Sequence, residues 1–180
     1  MNYAFTLFDT AIGRCGVTWS GRGVLGLQLP ERTHEATRIR LLRHCPTAEE
    51  VEPPSSIARA LADIQALLTG ERRSLRAVTL DMSRVASFNA EVYNAARAIP
   101  PGQTRTYGDI ARLIGQRSAA RAVGQALGRN PFAIIVPCHR VVGADGRMIG
   151  FSASGGIALK LRLLEIEGWA PAPTLFDALR

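Results

Sequence analysis

The sequence is poor in the residues that would mark a secreted, membrane or metal-stabilised protein. It has three cysteines, Cys15, Cys45 and Cys138, too few and too scattered for a disulfide framework. No C-x-x-C pair points to zinc. No stretch approaches the roughly 20 apolar residues of a membrane span. The start, "MNYAFTLFDT", lacks a basic segment followed by an apolar one, so no signal peptide is expected. Neither an internal repeat nor a low-complexity tract is visible. Lysine is almost missing: 21 of the 22 basic residues are Arg, and Lys160 stands alone. These absences predict a cytoplasmic location, where a thiol stays reduced, with no membrane partner and no bound metal.

What is there is a globular chain. Apolar residues make up 47% of its 180 positions, enough for one good core or two small ones. The formal net charge is +7, and the two parts of the chain share it unevenly. Residues 1–85 carry 11 basic and 9 acidic side chains, whereas residues 86–180 carry 11 and 6. Between Arg97 and Arg147 eight Arg face only Asp109 and Asp145. Such a balance attracts polyanions through a salt-sensitive pull on phosphates. An Arg-rich composition with solvated surface charge accounts for it equally well.

Patterning divides the chain in two. Residues 3–8, 15–19 and 24–29 read as strands joined by the Gly-containing turns "AIGR" and "SGRG". "HEATRIRLLRHC" and "SSIARALADIQALLTG" have helical spacing; Ser55 is placed to cap the second and Gly70 to end it. "SLRAVTLDM" reads as one more strand. No chemistry is evident in this half, and Cys15 and Cys45 read as inert packed or surface residues. The second half holds a helix over "FNAEVYNAARAI", stopped by "PPGQT". Two shorter helices follow, "TYGDIARLIG" and "SAARAVGQALG", the latter with Ser118 as its expected N-cap. A helix pair with a tight Gly-containing turn is the outline of a helix-turn-helix. The second helix is nearly bare: Ala119, Ala120, Ala122, Gly124 and Ala126 leave Arg121 as the one long interior side chain. So small a surface suits close packing on the protein's own core or entry into a nucleic-acid groove.

"IIVPCHRVVG", residues 134–143, holds the chemistry. Residues 133–136 read as a buried strand ended by Pro137, which has no amide hydrogen for a sheet ladder. Cys138, His139 and Arg140 follow at once. A thiol becomes a good nucleophile as thiolate, and a neighbouring base or cation favours that form. His139 is a candidate base, and Asp145, Glu165 and Glu167 are candidates to orient it. From the residues alone, a nucleophilic and an inert buried Cys138 stay equally open.

The segment "NPFAIIVPCHRVVG" resembles the active-site segment of the O6-alkylguanine-DNA alkyltransferases, whose mark is Pro-Cys-His-Arg-Val. "IPPGQTRTYGDIARLIG", "AARAVGQALGRNP" and a Gly-Gly followed by "LLEIEG" stand in the family's order, so the resemblance covers residues 86–169. It implies an α+β protein: a small N-terminal α/β, ribonuclease H-like domain over 1–82 and a C-terminal winged-helix-like domain with a helix-turn-helix over 83–180. It implies that Cys138 accepts the alkyl group, His139 draws off the thiol proton through a water, and Glu167 orients His139. Asn130 would shape the cysteine-bearing turn, and Arg140 would hold local structure. Tyr107 would push on the target phosphate and then contact the base, and the Val141 backbone would read the guanine edge. Arg121 would fill the gap left by the flipped nucleotide, with Ala120, Ala122, Gly124 and Arg129 beside it on the minor groove. Flipping is required because O6 inside a base stack is out of reach of a protein thiol. The partner would be double-stranded DNA containing O6-alkylguanine, the protein a monomer consumed after one transfer, and no cofactor would be needed.

Two departures from the family pattern stand out. "IGFSASGGIALK" is about two residues longer than usual, so the backbone donor near guanine O6 falls at Ser152 or Ser154. Counting forward from Cys138 without that insertion would select Glu165; aligning on Glu-Gly selects Glu167. Three rival functions differ in class. A damage-binding relative without transfer would lack the acceptor cysteine, which is present. A cysteine hydrolase would leave the bare helix unexplained. An alkyltransferase for another alkylated donor would use the longer loop.

Overall fold

The computed structural model describes residues 3–151 and 153–170. It opens with three antiparallel strands, β1 (Ala4–Thr10), β2 (Gly13–Ser20) and β3 (Gly23–Gln28). Gly23 begins β3 at φ 133°, and a Cβ there would lie 2.5 Å from the Thr79 carbonyl oxygen. Close approach and positive φ together restrict that position to glycine. The helix α1 (His34–Leu42) starts at Thr33, whose hydroxyl accepts from the Ala36 amide. It returns the chain so that β4 (Glu49–Glu50) runs parallel to β1, giving the order β3-β2-β1-β4. The helix α2 (Ser55–Leu68) buries Ile57, Leu61, Ile64 and Leu68, the expected helical stripe. Each of these stabilises the fold by roughly 1.5–3 kcal/mol through burial.

The second half contains α3 (Ser87–Arg97), β5 (Arg105–Thr106), α4 (Tyr107–Leu113), α5 (Ala120–Gly128), a single 3-10 turn (Cys138–Arg140), β6 (Val141–Val142) and α6 (Gly156–Ile166). The short strands β5 and β6 pair in parallel. Tyr93 on α3 ties this half together: its hydroxyl donates to the Ala126 carbonyl on α5 at 3.0 Å, and its ring meets Phe132 edge-on. One apolar core runs through both halves, from Val17, Trp19 and Leu27 to Val92, Tyr93 and Phe132. A backbone bond also joins them, from the Leu27 amide to the Pro131 carbonyl at 2.7 Å. The architecture is mixed α+β. Among the described residues no helix is long and apolar enough to cross a membrane.

Four local expectations are corrected. Residues 133–136 are buried but form no strand; they make a tight turn in which the Val136 amide donates to the Phe132 carbonyl. "SLRAVTLDM" contributes one isolated bridge, Leu80 to Val24, because β3 is met there by a single residue rather than a paired run. Ser55 is the first residue of α2 rather than its cap; the capping position falls on Pro54, whose extended backbone leads into the helix. Ser118 does not cap α5 either. The turn that closes with the Ala119 amide on the Gln116 carbonyl moves the helix start one residue on, so Ala119 takes the cap position.

Candidate active site

The turn before Cys138 is built around Asn130. Its amide nitrogen donates to the Val136 carbonyl and its amide oxygen accepts from the Phe132 amide, both at 2.9 Å. The side chain thus clips the two ends of the turn together. Ile134, inside it, has φ 68°, a left-handed conformation that a β-branched residue resists. Such strain costs about 1–3 kcal/mol and persists only where the surroundings impose it. Ile134, Ile135 and Val136 are all buried, which anchors the turn. Pro137 then starts the 3-10 turn, closed by the Arg140 amide on the Pro137 carbonyl at 2.9 Å.

That turn separates three adjacent side chains into three environments. Cys138 is half-buried and borders a cavity of about 80 Å3. Burial pushes its thiol pKa up, while the Asn130 amide and the Lys160 ammonium oppose the rise. His139 is 1% exposed, and its Nε2 lies 2.8 Å from Glu167 Oε1. Arg140 grips the same carboxylate: Nε donates to Oε2 at 2.8 Å and Nη2 to Oε1 at 2.7 Å. Its Nη1 donates to the Ile99 carbonyl at 2.6 Å, which ties the site to the end of α3. Burial alone would raise the Glu167 carboxyl, but the bonds and charges of His139 and Arg140 bring it down to about 2.

An ionised carboxylate can only accept, so His139 Nε2 carries the proton. Burial lowers the His139 pKa, with Glu167 working against that, so the ring is neutral near pH 7. Its other nitrogen, Nδ1, is buried without a hydrogen-bond partner in the protein. The arrangement is therefore a neutral imidazole with a free lone pair, oriented by a fixed carboxylate, one residue after a thiol. Such an arrangement can serve as a general base and a nucleophile. Glu165 is exposed on the outer side of α6.

Lys160 is a site residue that sequence reasoning did not identify as one. It is fully buried on α6, and its Nζ donates to the Val141 carbonyl at 2.6 Å and to the Ile149 carbonyl at 2.9 Å. Burial brings its pKa down to about 8, and the charge of Cys138 opposes that shift. A lone lysine in the apolar run "GIALKLRLL" was the available signal.

The helix pair flanks the site. Thr106 and Asp109 form a capping box at the start of α4, which fixes Tyr107 as its first residue. The Tyr107 hydroxyl donates to the Ile149 carbonyl at 3.1 Å. Gly124 on α5 faces that ring: a Cβ there would be 3.7 Å from two of its carbons. This small residue makes room for Tyr107 within the protein. Arg121 and Arg129 are exposed, while Ala120 and Ala122 are half-buried. An open cavity of about 900 Å3 lies between the helices and the 143–150 loop, bordered by Tyr107, Ala120, Arg121, Gly124 and Gly150. Val141 is fully buried, with its carbonyl on Lys160 and its amide on the Cys138 carbonyl. Ser154 is half-buried in the turn before α6; Ser152 lies outside the described residues.

Residues 87–169 match the family model of the 6-O-methylguanine DNA methyltransferase DNA-binding domain. A methylated-DNA–protein-cysteine methyltransferase of Mycobacterium leprae is 40% identical over 171 residues, covering 94% of this chain and 96% of the relative. The chain belongs to this family. The family's members are DNA-repair methyltransferases, and this chain is an enzyme of that kind. The crystal structure of the Mycobacterium tuberculosis O6-methylguanine methyltransferase, 40% identical, covers 97% of this chain and 99% of its own with a TM-score of 0.74. A structure of the M. tuberculosis protein in complex with DNA is 37% identical, covers 93% and 92%, and has a TM-score of 0.70.

Proposed function

We propose that the protein removes the alkyl group from O6 of guanine in duplex DNA and keeps it on Cys138. The observation that carries this reading is the His139 ring, buried and neutral, with Nε2 fixed by Glu167 and Nδ1 left as a free acceptor one residue after the thiol. The thiol proton passes through a water to Nδ1 as sulfur attacks the alkyl carbon. The carbon–O6 bond breaks, its electron pair stays on the base, and the guanine anion so formed takes its ring proton from solvent water. His139 becomes imidazolium opposite Glu167, whose ionised state suits a cation there. The product is a thioether, which water and cellular thiols do not reverse, so each molecule acts once.

The supporting parts take the following roles. Asn130 holds the turn and favours the thiolate. Tyr107 presses the target phosphate and then contacts the base, and Arg121 occupies the vacated stack. Ala120, Ala122, Gly124 and Arg129 lie along the minor groove, and the backbones of Val141 and of the 152–154 segment meet the guanine edge. The strand order β3-β2-β1-β4, with β4 parallel to β1, supports a ribonuclease H-like first domain over 1–82. Three helices, with a two-stranded pairing of β5 before α4 and β6 after α5, support a winged-helix-like second domain over 83–180. The protein acts as a monomer in the cytoplasm.

The test is mass spectrometry after incubation with a duplex containing O6-methylguanine. The expected result is one methyl group on Cys138 per molecule, with no transfer in Cys138→Ala. Turnover beyond one equivalent, or methyl on Cys15 or Cys45, would overturn the reading.

A further inference from the structure

The first half of the chain reaches the acceptor site. The cavity at Cys138 is bordered on one side by Leu127, Asn130 and Ala133 of the second half. Leu27, Gln28, Leu29 and Arg40, all from the first half, also line it, with Gly150, Phe151 and Ala153 completing the wall. This wall is held in place. The Leu27 amide donates to the Pro131 carbonyl at 2.7 Å, which joins β3 to the turn carrying the cysteine. Arg40 Nη1 lies 2.9 Å from Glu31 Oε1, and Gln28 Nε2 donates to the same oxygen at 3.3 Å. Glu31 is itself fixed, its amide donating to the Thr37 hydroxyl at 3.0 Å. The result is an apolar floor of two leucines edged by a tethered arginine.

Direction follows from the second cavity. The larger space beside α5 and Tyr107 shares Gly150 with the one at Cys138. A base flipped out at α5 therefore enters past Gly150, and its O6 substituent leads. Such a base would meet the first-half residues that line the same cavity.

We propose that this wall closes the alkyl end of the acceptor pocket, and that Arg40, held across it by Glu31, limits the size of O6 group that reaches Cys138. The inference rests on the acceptor role proposed for Cys138. Compact groups such as methyl fit beneath Arg40; a benzyl group requires Arg40 to leave Glu31. The side chain is 43% exposed, so it has space to swing outward, and the limit is a barrier rather than a block.

The test compares single-turnover rates for methyl- and benzyl-guanine duplexes and for free O6-benzylguanine, in the parent chain, Arg40→Ala and Arg40→Met. In Arg40→Ala the benzyl-to-methyl ratio should rise by about ten-fold or more, the scale of discrimination carried by a few methylene groups of pocket volume. Free O6-benzylguanine should gain similarly. Arg40→Met refills the space and should keep the ratio near the parent value. An unchanged ratio in Arg40→Ala would overturn the proposal. So would equal loss on both duplexes with the free base unaffected, since Arg40 would then be a phosphate contact. A rise in Arg40→Met as large as in Arg40→Ala would overturn it too, by showing that charge rather than bulk matters. Failure of the underlying reading is separate: the parent chain would then leave Cys138 unmodified by the methyl duplex.

Discussion

Glu167 accepts three side-chain hydrogen bonds from two residues with opposite tasks. In the proposed transfer His139 gains a proton and Arg140 keeps its own, and both bond to the one carboxylate. Glu167→Gln keeps the shape and removes the charge. Transfer should slow by on the order of 10²-fold, the lower range for a disabled general base. Stability should fall by about 3–5 kcal/mol, because Arg140 is left as a buried cation without a counter-charge. Glu165→Gln, on the exposed face, should change neither. Stopped-time transfer assays and urea titrations of both variants make the check, and a slower Glu165→Gln would show the wrong carboxylate was chosen. Lys160 is the second case. Lys160→Met removes a cation that favours the Cys138 thiolate and leaves two carbonyls without their donor. The pH profile for iodoacetamide reaction at Cys138 should move upward, and an unmoved profile would limit Lys160 to a packing role. Glu167 was legible from its place in "LLEIEG". Lys160 was not, because a lysine in an apolar helix is ordinarily a surface residue whose stem covers the core. Only the folded structure shows it pointing inward at two carbonyls.

Elements were legible where local pattern and tertiary role agreed. The three opening strands, α2 and the α4–α5 pair follow from alternation, helical spacing and terminal glycines. Residues 133–136 were misread because Ala-Ile-Ile-Val has strand propensity, whereas the Asn130 clip and the left-handed Ile134 fold it into a turn. Propensity gave way to a tertiary constraint that no window of sequence contains. The small residues of α5 were only partly legible: the bare surface was clear, but Gly124 faces Tyr107 as well as the open cavity. This position of Tyr107 bears on flipping. Its hydroxyl donates to the Ile149 carbonyl, which also accepts from Lys160, and the residue borders the α5 cavity. Tyr107→Phe and Arg121→Ala should therefore slow transfer from duplex DNA far more than from free O6-benzylguanine. The free base requires no unstacking, which costs a few kcal/mol in a duplex. Equal slowing on both substrates would assign these residues to the pocket or the fold.

At the scale of the whole molecule, the buried ionisable groups act in one direction on the acid side. His139 is held below its ordinary 6.5 by burial, so the unfolded chain takes up a proton there first as pH falls. Glu167 is held at about 2 against an ordinary 4.5. Asp81 ties the stretch after α2 to the β2–β3 turn: burial would raise it, but bonds from Ser20, Ser83 and Arg22 hold it well below 3.8. In each case the unfolded state binds more protons than the folded one, so stability rises with pH across the interval. The contribution of His139 falls away as pH drops below 6.5; that of Glu167 is full above about 4.5 and is lost on the way to about 2. The contribution of Asp81 is lost from 3.8 downward. The alkaline side differs, because opposed shifts meet there. Lys160, at about 8, favours the fold as pH rises toward 10.5, while Cys15, raised to about 11 by burial, disfavours it above 9. Urea midpoints measured from pH 3 to 10 should therefore drop steadily below about 6.5 and rise between about 8 and 9, where Lys160 acts before Cys15 opposes it. Glu167→Gln should flatten the segment below 4.5 while leaving the decline nearer 6 in place. A midpoint that stays level down to pH 4 in the parent chain would mean that His139 is not neutral in the folded protein, and with it the proton acceptor proposed for Cys138 would be lost.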